Sequence, residues 1–384
     1  MLRVLTLSTL FPDATRPGFG GFVERQTLGL AALPDVEVTV VAPVGQPPWP
    51  LRRLQPHRAL ADLPVIETWK GLSVCRPRFA TVPGTKALRH AASLEAAVAP
   101  MLRDIVFDVI HASFFFPDGP AAVALGQRFG VPVSIKARGS DIHYWGRVRA
   151  REVREAGRQA DGLLAVGEAL KADMVALGMP GDRIAVHHTG VDRDRFHPRD
   201  RAMEKRRVGV EGPLVASVGA LTANKGHAIV IEAIAALPGV TLAILGAGPE
   251  RAALAGLAER LGVTDRVRLL GSVPHDEAAR WVGAADVMAL ASADEGLANA
   301  WVEALASGTP VIAPDVGSAR EVLTLGAGRI VPREPSAFAD AIGSVLRDPP
   351  RIEAVLAAAA PFSWERNARE LRDHLAALVQ ASSG

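Results

Sequence analysis

Short apolar runs bounded by turn residues alternate along the whole chain with segments whose apolar positions recur at helical spacing. That alternation predicts β-α-β units and parallel sheets, because a strand covered on both faces is apolar throughout whereas its covering helix is apolar along one stripe. In the first half, strands are expected at 4–8, 36–41, 73–76, 109–111, 133–137, 162–166 and 184–187, with helices at 21–32, 86–103, 120–129 and 169–176. The second half repeats the grammar, with strands at 214–218, 241–245, 267–270, 287–290 and 310–313 and helices at 227–237, 250–261, 276–284, 299–307 and 336–346. Between the halves, 192–212 is rich in charge and poor in apolar residues, and reads as a linker. The fold class is therefore α/β, two consecutive doubly wound, Rossmann-like domains. Open parallel sheets take ligands beyond the C-terminal ends of their strands, so two such domains facing each other would enclose an interdomain cleft lined by both sets of loops.

The 384 residues suit two domains of roughly 150 to 200 residues each. A hydrophobic fraction of 49% with 22% charge fits a soluble protein, and no window reaches the roughly 20 unbroken apolar residues of a bilayer span. The opening residues lack a small-residue cleavage site and run into the turn Phe11-Pro12-Asp13, so they read as a first buried strand and not a signal peptide. A single cysteine, Cys75, makes neither an internal disulfide nor a metal cluster, which fits a reducing, cytoplasmic compartment.

Net charge is +2, but residues 1–195 hold 24 Lys and Arg against 19 Asp and Glu, so the first half is the basic one. Two clusters stand out: Arg52, Arg53, His57 and Arg58 near Trp49, and Arg147, Arg149, Arg151, Arg154 and Arg158 after Tyr144 and Trp145. Such clusters can attract anionic lipid headgroups, which would give a peripheral membrane contact through the N-terminal domain. A solvated helix face interleaved with Glu152 and Glu155 is the alternative. Nucleic acid is not expected, because aromatics are few and no nucleic-acid motif is present.

The sharpest chemical signal is Glu295-Gly-Leu-Ala-Asn-Ala-Trp-Val-Glu303, followed by Gly308-Thr-Pro-Val311. A strand ends, a short loop carries Glu295 and Gly296, and a helix begins near Asn299. Free N–H groups and the positive dipole end at such a helix start suit a diphosphate or a sugar hydroxyl. Glu303 lies about one turn inside and leans back toward the N-terminus, where a carboxylate suits the two hydroxyls of a ribose. On spacing alone, a surface acid and an ordinary helix glutamate explain the pair equally well. A second constellation runs from Gly219 through Asn224 and Lys225 to His227, after the first strand of the second domain; Lys225 is placed to neutralise a leaving diphosphate.

In the first domain, Gly18-Phe-Gly20-Gly21 precedes a helix and lets backbone approach a ligand closely. Arg138-Gly-Ser-Asp141-Ile-His143 follows a strand: Arg138 could bind phosphate or polarise a sugar oxygen, and Asp141 or His143 could touch an acceptor, unless Arg138 and Asp141 simply pair across the turn. His111 ends its strand and reads as a packed cleft-edge histidine, with a base or an acceptor contact as the alternatives. Two decoys are set aside. Gly246-Ala-Gly248-Pro-Glu-Arg251 has Arg251 where a dinucleotide fingerprint needs its third glycine. Asp192-Arg-Asp194 imitates a metal-holding carboxylate pair but falls on the expected linker, so no metal site is expected.

Taken together, these residues resemble the retaining glycosyltransferases of family four, whose architecture is GT-B, two facing Rossmann-like domains. The resemblance spans nearly the whole chain. It is carried by Gly20-Gly21, Arg138-Gly-Ser-Asp141, Gly190-Val-Asp192 with Phe196-His-Pro198, Gly219 to Gly226, Gly271-Ser272-Val273, the glutamates at 295 and 303, and Gly308 to Val311. Phe362-Ser-Trp364-Glu365 resembles the start of the last helix, which in this fold crosses back onto the N-terminal domain. The implied domains are an acceptor-binding 1–195, a nucleotide-sugar-binding 196–361 and the returning helix 362–384.

The resemblance implies that Glu295 holds the donor sugar, with Gly296, Leu297, Ala298 and Asn299 around its phosphate and hydroxyls, and that Glu303 holds the ribose. Lys225 then sits on the diphosphate, Gly219 and Asn224 beside it, and Ser272 and Val273 flank the base mainly through backbone. Gly20 and Gly21 join the donor site, and Glu295, Lys225 and Arg138 are the catalytic candidates. Members often carry Arg where this chain has Ala220, and His where it has Arg138. The implied activity is hexosyl transfer from a UDP-sugar, or a GDP-sugar, to a glycan or lipid-linked glycan, with retention and with no metal or other cofactor. A non-catalytic sugar-nucleotide-binding protein and a sugar-nucleotide epimerase are the competing readings.

Overall fold

The computed structural model describes residues 1–55, 57–323 and 326–384. Contacts divide the chain into two compact units, Met1–Gly190 with Trp364–Gly384, and Val191–Ser363. The split thus falls a few residues away from the boundaries expected at 195 and 361.

The first unit contains β1 (Leu2–Leu7), β2 (Val36–Val41), β3 (Val44–Gln46), β4 (Ile66–Trp69), β5 (Leu72–Cys75), β6 (Arg78–Ala80), β7 (Val109–Ala112), β8 (Val133–Ala137), β9 (Gly162–Ala165) and β10 (Ile184–Val186). Among the described residues one sheet runs β10-β9-β8-β7-β1-β2-β5-β4, and β3 pairs with β6 in a small ladder. The large sheet is parallel except for β4, which runs antiparallel to β5 at the edge. Its order reverses between β1 and β7. The long terminal helix Trp364–Ser383 belongs to this unit. Its Leu371 and Leu375 pack with Val4, Leu30, Val109 and Leu164, and Trp364 stands where a Cβ on Gly190 would be.

The second unit contains β11 (Leu214–Val218), β12 (Thr241–Leu245), β13 (Val267–Gly271), β14 (Val287–Ala289), β15 (Val311–Ala313) and β16 (Gly328–Ile330). Among the described residues these form one parallel sheet in the order β13-β12-β11-β14-β15-β16. That is the doubly wound Rossmann order, with its topological switch point between the first and fourth strands of the unit, β11 and β14. Strand residues such as Val215, Leu242, Ile244 and Ile312 are wholly buried, as a sheet covered on both faces requires.

Several expectations are corrected. The stretch read as a linker contains the helix Arg201–Val208, with Asp200 accepting from the Met203 amide at its start and Gly209 left-handed at its end; the helix packs on His275–Ala284 within the second unit. Good caps had been hidden by the absence of an apolar stripe. The helix expected from 86 begins only at His90, after Arg89 adopts a left-handed conformation, and Pro100 lies in the 3₁₀ turn that ends it. Strands β3, β4, β6 and β16 lie outside the expected set because polar residues or glycine interrupt them, at Gly45 and Gln46, Glu67 and Thr68, Arg78, and Gly328 and Arg329, so none shows the apolar run of an inner strand. In the second basic cluster, Arg154 and Arg158 donate to the carbonyls of Leu177 and Gly178, Arg149 to that of Lys86, and Arg151 pairs with Glu155. Arg149, Arg154 and Arg158 are thus occupied in holding turns and Arg151 in an ion pair along its own helix, which favours the structural alternative for these four.

Candidate active site

Within the second unit the loops after β11 and β14, on either side of the switch point, are stitched together. Gly226 sits at φ 66°, where a Cβ would lie 2.0 Å from the Ala291 carbonyl oxygen, so only glycine permits this approach. The Ala293 amide donates to the Asn224 carbonyl at 2.7 Å, and the Asn224 side chain donates to the Asp294 carbonyl at 3.1 Å. Across this seam the Lys225 ammonium forms an ion pair with the Glu295 carboxylate, to which Ser292 Oγ also donates at 2.7 Å. Glu295 is therefore fixed by two partners. A third loop backs the second: the Ser318 amide donates to the Gly296 carbonyl at 2.9 Å, and Gly317 lies so close that a Cβ would meet the Glu295 oxygen.

Asn299 opens the helix Asn299–Ala306, which no side chain caps at its N-terminus. Gly296, Leu297 and Ala298 lead into it and are buried. Glu303 is one turn inside. Burial pushes its carboxyl up to about 7, Asp192 adds to the rise, and Arg195 opposes it. Among the described residues no hydrogen bond reaches that carboxylate, so it is a half-buried acceptor without a donor. Asp192 is ion-paired with Arg195 at 3.2 Å.

The decoy glycines have a steric explanation. A Cβ on Gly246 would strike the Gly219 carbonyl, and one on Gly248 the Leu221 backbone. The Gly219 amide donates to Leu245 and the Gly246 amide to Gly271, so the loops after β11, β12 and β13 form one ledge ending at exposed Ser272 and half-buried Val273. His227, under that ledge, bonds Ser217 Oγ through Nδ1 at 3.0 Å; burial lowers its pKa to about 4, leaving a neutral ring.

Sequence reasoning missed Ser292 and Arg333. Ser292 stands three residues before Glu295 in the same loop, a spacing that could have drawn attention to it. Arg333 follows β16, and its guanidinium donates to the Ala291 carbonyl at 2.8 Å and the Ala223 carbonyl at 3.3 Å, clamping the two loops that bear Lys225 and Glu295. Nothing in its sequence neighbourhood signals this.

In the first unit, Gly20 adopts φ 65° with the Leu10 carbonyl 2.1 Å from where its Cβ would be, and it caps the helix Gly21–Ala31. Arg138 reaches this helix: its guanidinium lies 4.7 Å from the Phe22 ring centre and donates to Gln26 Oε1 at 3.2 Å and to the Ser113 carbonyl at 2.7 Å. Burial lowers its pKa to about 10, so it remains a cation. The structure thus brings Gly20, Gly21 and Arg138 to the same edge of the first sheet.

Two of the three acceptor candidates, Asp141 and His111, are corrected. Asp141 is fully buried, and its carboxylate accepts from the backbone amides of Phe115, Arg138 and Gly139 at 2.8–3.1 Å, so it shapes the turn instead of facing a ligand. Nor does it bond the Arg138 side chain, whose donors go elsewhere. His111 is equally buried between Gln26 and Ser134, and burial drives its pKa well down. His143 bonds Asp173 at 2.9 Å.

Comparison with known proteins agrees with this architecture. Residues 20–195 match the family described as Glycosyltransferase Family 4, and residues 198–361 the family described as Glycosyl transferases group 1. A D-inositol 3-phosphate glycosyltransferase of Frankia alni is 32% identical over 312 residues, covering 72% of this chain and 76% of the relative. TuaC of Bacillus subtilis, named for a glycosyltransferase of teichuronic acid biosynthesis, is 29% identical over 355 residues, covering 89% of this chain and 88% of that one. Among solved structures, sucrose-phosphate synthase from Thermosynechococcus elongatus superposes with TM-score 0.81 at 20% identity, covering 99% of this chain and 100% of that chain. Anabaena Alr3699/HepE in complex with UDP gives TM-score 0.75 at 20% identity, covering 98% and 100%. The fold is the two-domain α/β GT-B fold. The chain belongs to the family four, group 1 glycosyltransferases.

Proposed function

We propose that this glycosyltransferase moves a hexosyl group from a nucleotide-diphosphate sugar, a UDP-sugar in the first instance, to a glycan or lipid-linked glycan, with retention of anomeric configuration and without a metal ion. The observation that carries the reading is the switch point of the second unit, where Lys225, Glu295 and the uncapped helix start at Asn299 come from two adjoining loops. When the sugar–phosphate bond breaks, negative charge grows on the diphosphate. Lys225 and the helix N-terminus are positive groups already in place for that charge, so little reorganisation is required as the bond breaks. Glu295, held by Lys225 and Ser292, accepts hydrogen bonds from the sugar hydroxyls. Glu303 accepts from the ribose, Gly219 and Asn224 flank the phosphates, and the backbone of Ser272 and Val273 flanks the base. Arg138, Gly20 and Gly21 supply the first unit's own cation and backbone donors. That the Anabaena structural relative was solved with UDP, and in another crystal with UDP-glucose, supports a uridine donor; the teichuronic acid name of TuaC supports a glycan acceptor.

The test is a thermal-shift screen against UDP, GDP, ADP and TDP, followed by incubation of the matching sugar nucleotides with glycan acceptors in the presence and absence of a chelator. A nucleotide at 100 times its dissociation constant stabilises by about 2.7 kcal/mol, which the screen resolves. The expected outcome is UDP binding and a product whose anomeric configuration, read by NMR, equals that of the donor. Binding with neither transfer nor donor hydrolysis would mark a binding protein, an isomerised donor without acceptor an epimerase, and loss of transfer with chelator a metal-dependent enzyme.

A further inference from the structure

In the second basic cluster of the first unit Arg149, Arg151, Arg154 and Arg158 are engaged through their side chains by hydrogen bonds or an ion pair, whereas, among the described residues, Arg52, Arg53 and Arg58 of the first cluster are not. Between β3 and β4 the chain makes an excursion whose far end is pinned. Leu60 and Leu63 are buried with Val44, and the Arg78 guanidinium donates to the carbonyls of Ala61 and Leu63. The near end protrudes. There Trp49 is 61% exposed, Leu54 59% and Leu51 39%, an outlay of core-forming side chains on a surface tip. Arg52, Arg53 and Arg58 are exposed too and make no ion pair or hydrogen bond through their side chains among the described residues; Arg53 lies 5.7 Å from the Trp49 ring centre. The three arginines, with Ala61 and Asp62, line a cavity of about 430 Å³.

We propose that this excursion docks the protein on a membrane surface, with the phosphates of anionic lipids taken into the arginine-lined cavity. The chemistry selects that partner. Guanidinium forks match phosphate oxygens, and one aspartate leaves a surplus of two positive charges in the cavity lining. A soluble phosphate would need the arginines alone and gives no reason for the apolar side chains beside them. Trp49, Leu51 and Leu54 have the mixed character of side chains that enter the headgroup region, an amphipathic ring with short aliphatic neighbours. No helix of the described residues is long and apolar enough to cross a membrane, so a contact of this kind would be peripheral. The proposal stands independently of the sugar-transfer reading, and each can fail without the other.

Sedimentation of the full chain with vesicles tests it. The parent is expected to sediment with equal mixtures of phosphatidylcholine and phosphatidylglycerol, to stay in solution with phosphatidylcholine alone, and to be released by salt. Replacing Arg52, Arg53 and Arg58 together by Ala is expected to weaken vesicle binding about a hundredfold, at about fivefold per arginine. Trp49→Ala weakens it with all three arginines in place, and Arg151→Ala, in the engaged cluster, leaves it unchanged. Retention of the parent's circular dichroism and melting temperature by the triple variant separates loss of docking from loss of fold. The proposal is overturned if the parent ignores anionic vesicles, if it binds neutral vesicles equally, if the triple variant sediments like the parent, or if inorganic phosphate shifts the melting temperature while vesicles do not bind.

Discussion

Lys225 and Glu295 lie 70 positions apart in sequence and meet as an ion pair where the loops after β11 and β14 close on each other. The pair forms because Gly226 lets the first loop touch Ala291 and because the Asn224 and Ala293 backbones bond across the seam. Each side chain therefore holds the other in the orientation the proposed chemistry needs, and neither has to be ordered at the moment of reaction.

Removing either partner is expected to show in turnover more than in stability. Lys225→Ala takes away a fixed positive group beside a leaving diphosphate, an effect of about 10²–10³ in kcat by analogy with the loss of one preorganised donor. Glu295→Gln keeps the shape and loses the charge, and turnover falls as well. Since each variant also frees the other's partner, the double variant is expected to lose less than the sum of the singles in a double-mutant cycle. Steady-state kinetics on the three variants checks this, and strict additivity would show that the pair does not act as a unit.

Glu303 gives a pH signature. Burial holds its carboxyl at about 7 in the folded protein, above the ordinary range, so it binds a proton more readily than in the unfolded chain. Its contribution to stability is therefore present at low pH and is lost as pH rises through about 7. Binding runs the other way: the ionised form is the better acceptor for ribose hydroxyls, so KM for the donor should fall as pH rises through that value. Glu303→Gln should flatten the profile and raise KM about tenfold or more, the scale of a hydrogen bond to a charged group. Donor KM measured from pH 5.5 to 8.5, about 1.5 units either side of the expected midpoint, provides the readout.

Much of this site was legible because the chemistry lies at strand ends. The runs at 214–218 and 241–245 are apolar apart from Ser217 and Thr241 and coincide with β11 and β12, so the loops that follow could be located from sequence. The glutamates at 295 and 303 could be placed on a loop and one turn into a helix for the same reason. Asp141 illustrates the limit. A carboxylate after a strand looks the same in sequence whether it faces a ligand or turns inward onto three amides, and only the path of Arg138 and Gly139 decides. Arg333 shows another: its two acceptors are carbonyls, which any residue supplies, so no side-chain partner in the sequence points to it.

Arg333 is expected to act as a positioning residue, since its bonds go to backbone and reach the proposed chemistry only through the loops they hold. Arg333→Ala should lower kcat/KM by releasing the loop that carries Lys225 from the one that carries Glu295, with a loss of about tenfold, a fraction of what two hydrogen bonds from a charged donor are worth, because they act on the chemistry only through the loops. Arg333→Lys, which can still reach one carbonyl, should recover part of it. Uniform loss in KM and kcat with an unchanged melting temperature supports loop positioning. A lowered melting temperature with normal kinetics would reduce Arg333 to a structural clamp.

The first unit should be acid-sensitive through the polar groups sealed beneath its last helix. Lys136 is fully buried and bonds Gln26 Oε1 at 3.0 Å and His187 Nδ1 at 2.8 Å, while Ser134 joins His111 to His374 on the helix Trp364–Ser383. Burial lowers the pKa of His374 to about 4 and those of His111, His187 and Lys136 well below their usual values. A depressed basic group means that the unfolded chain binds the proton first, so stability is retained at high pH and lost as pH falls below the unfolded value. For His374, with an unfolded pKa of about 6.5, the loss between pH 7 and pH 5 is about 2 kcal/mol. His374→Gln keeps a polar contact to Ser134 and cannot titrate, so it should remove that portion of the pH dependence. Urea unfolding at pH 5, 6 and 7 measures it, and an identical pH slope in variant and parent would show that His374 is not the group responsible.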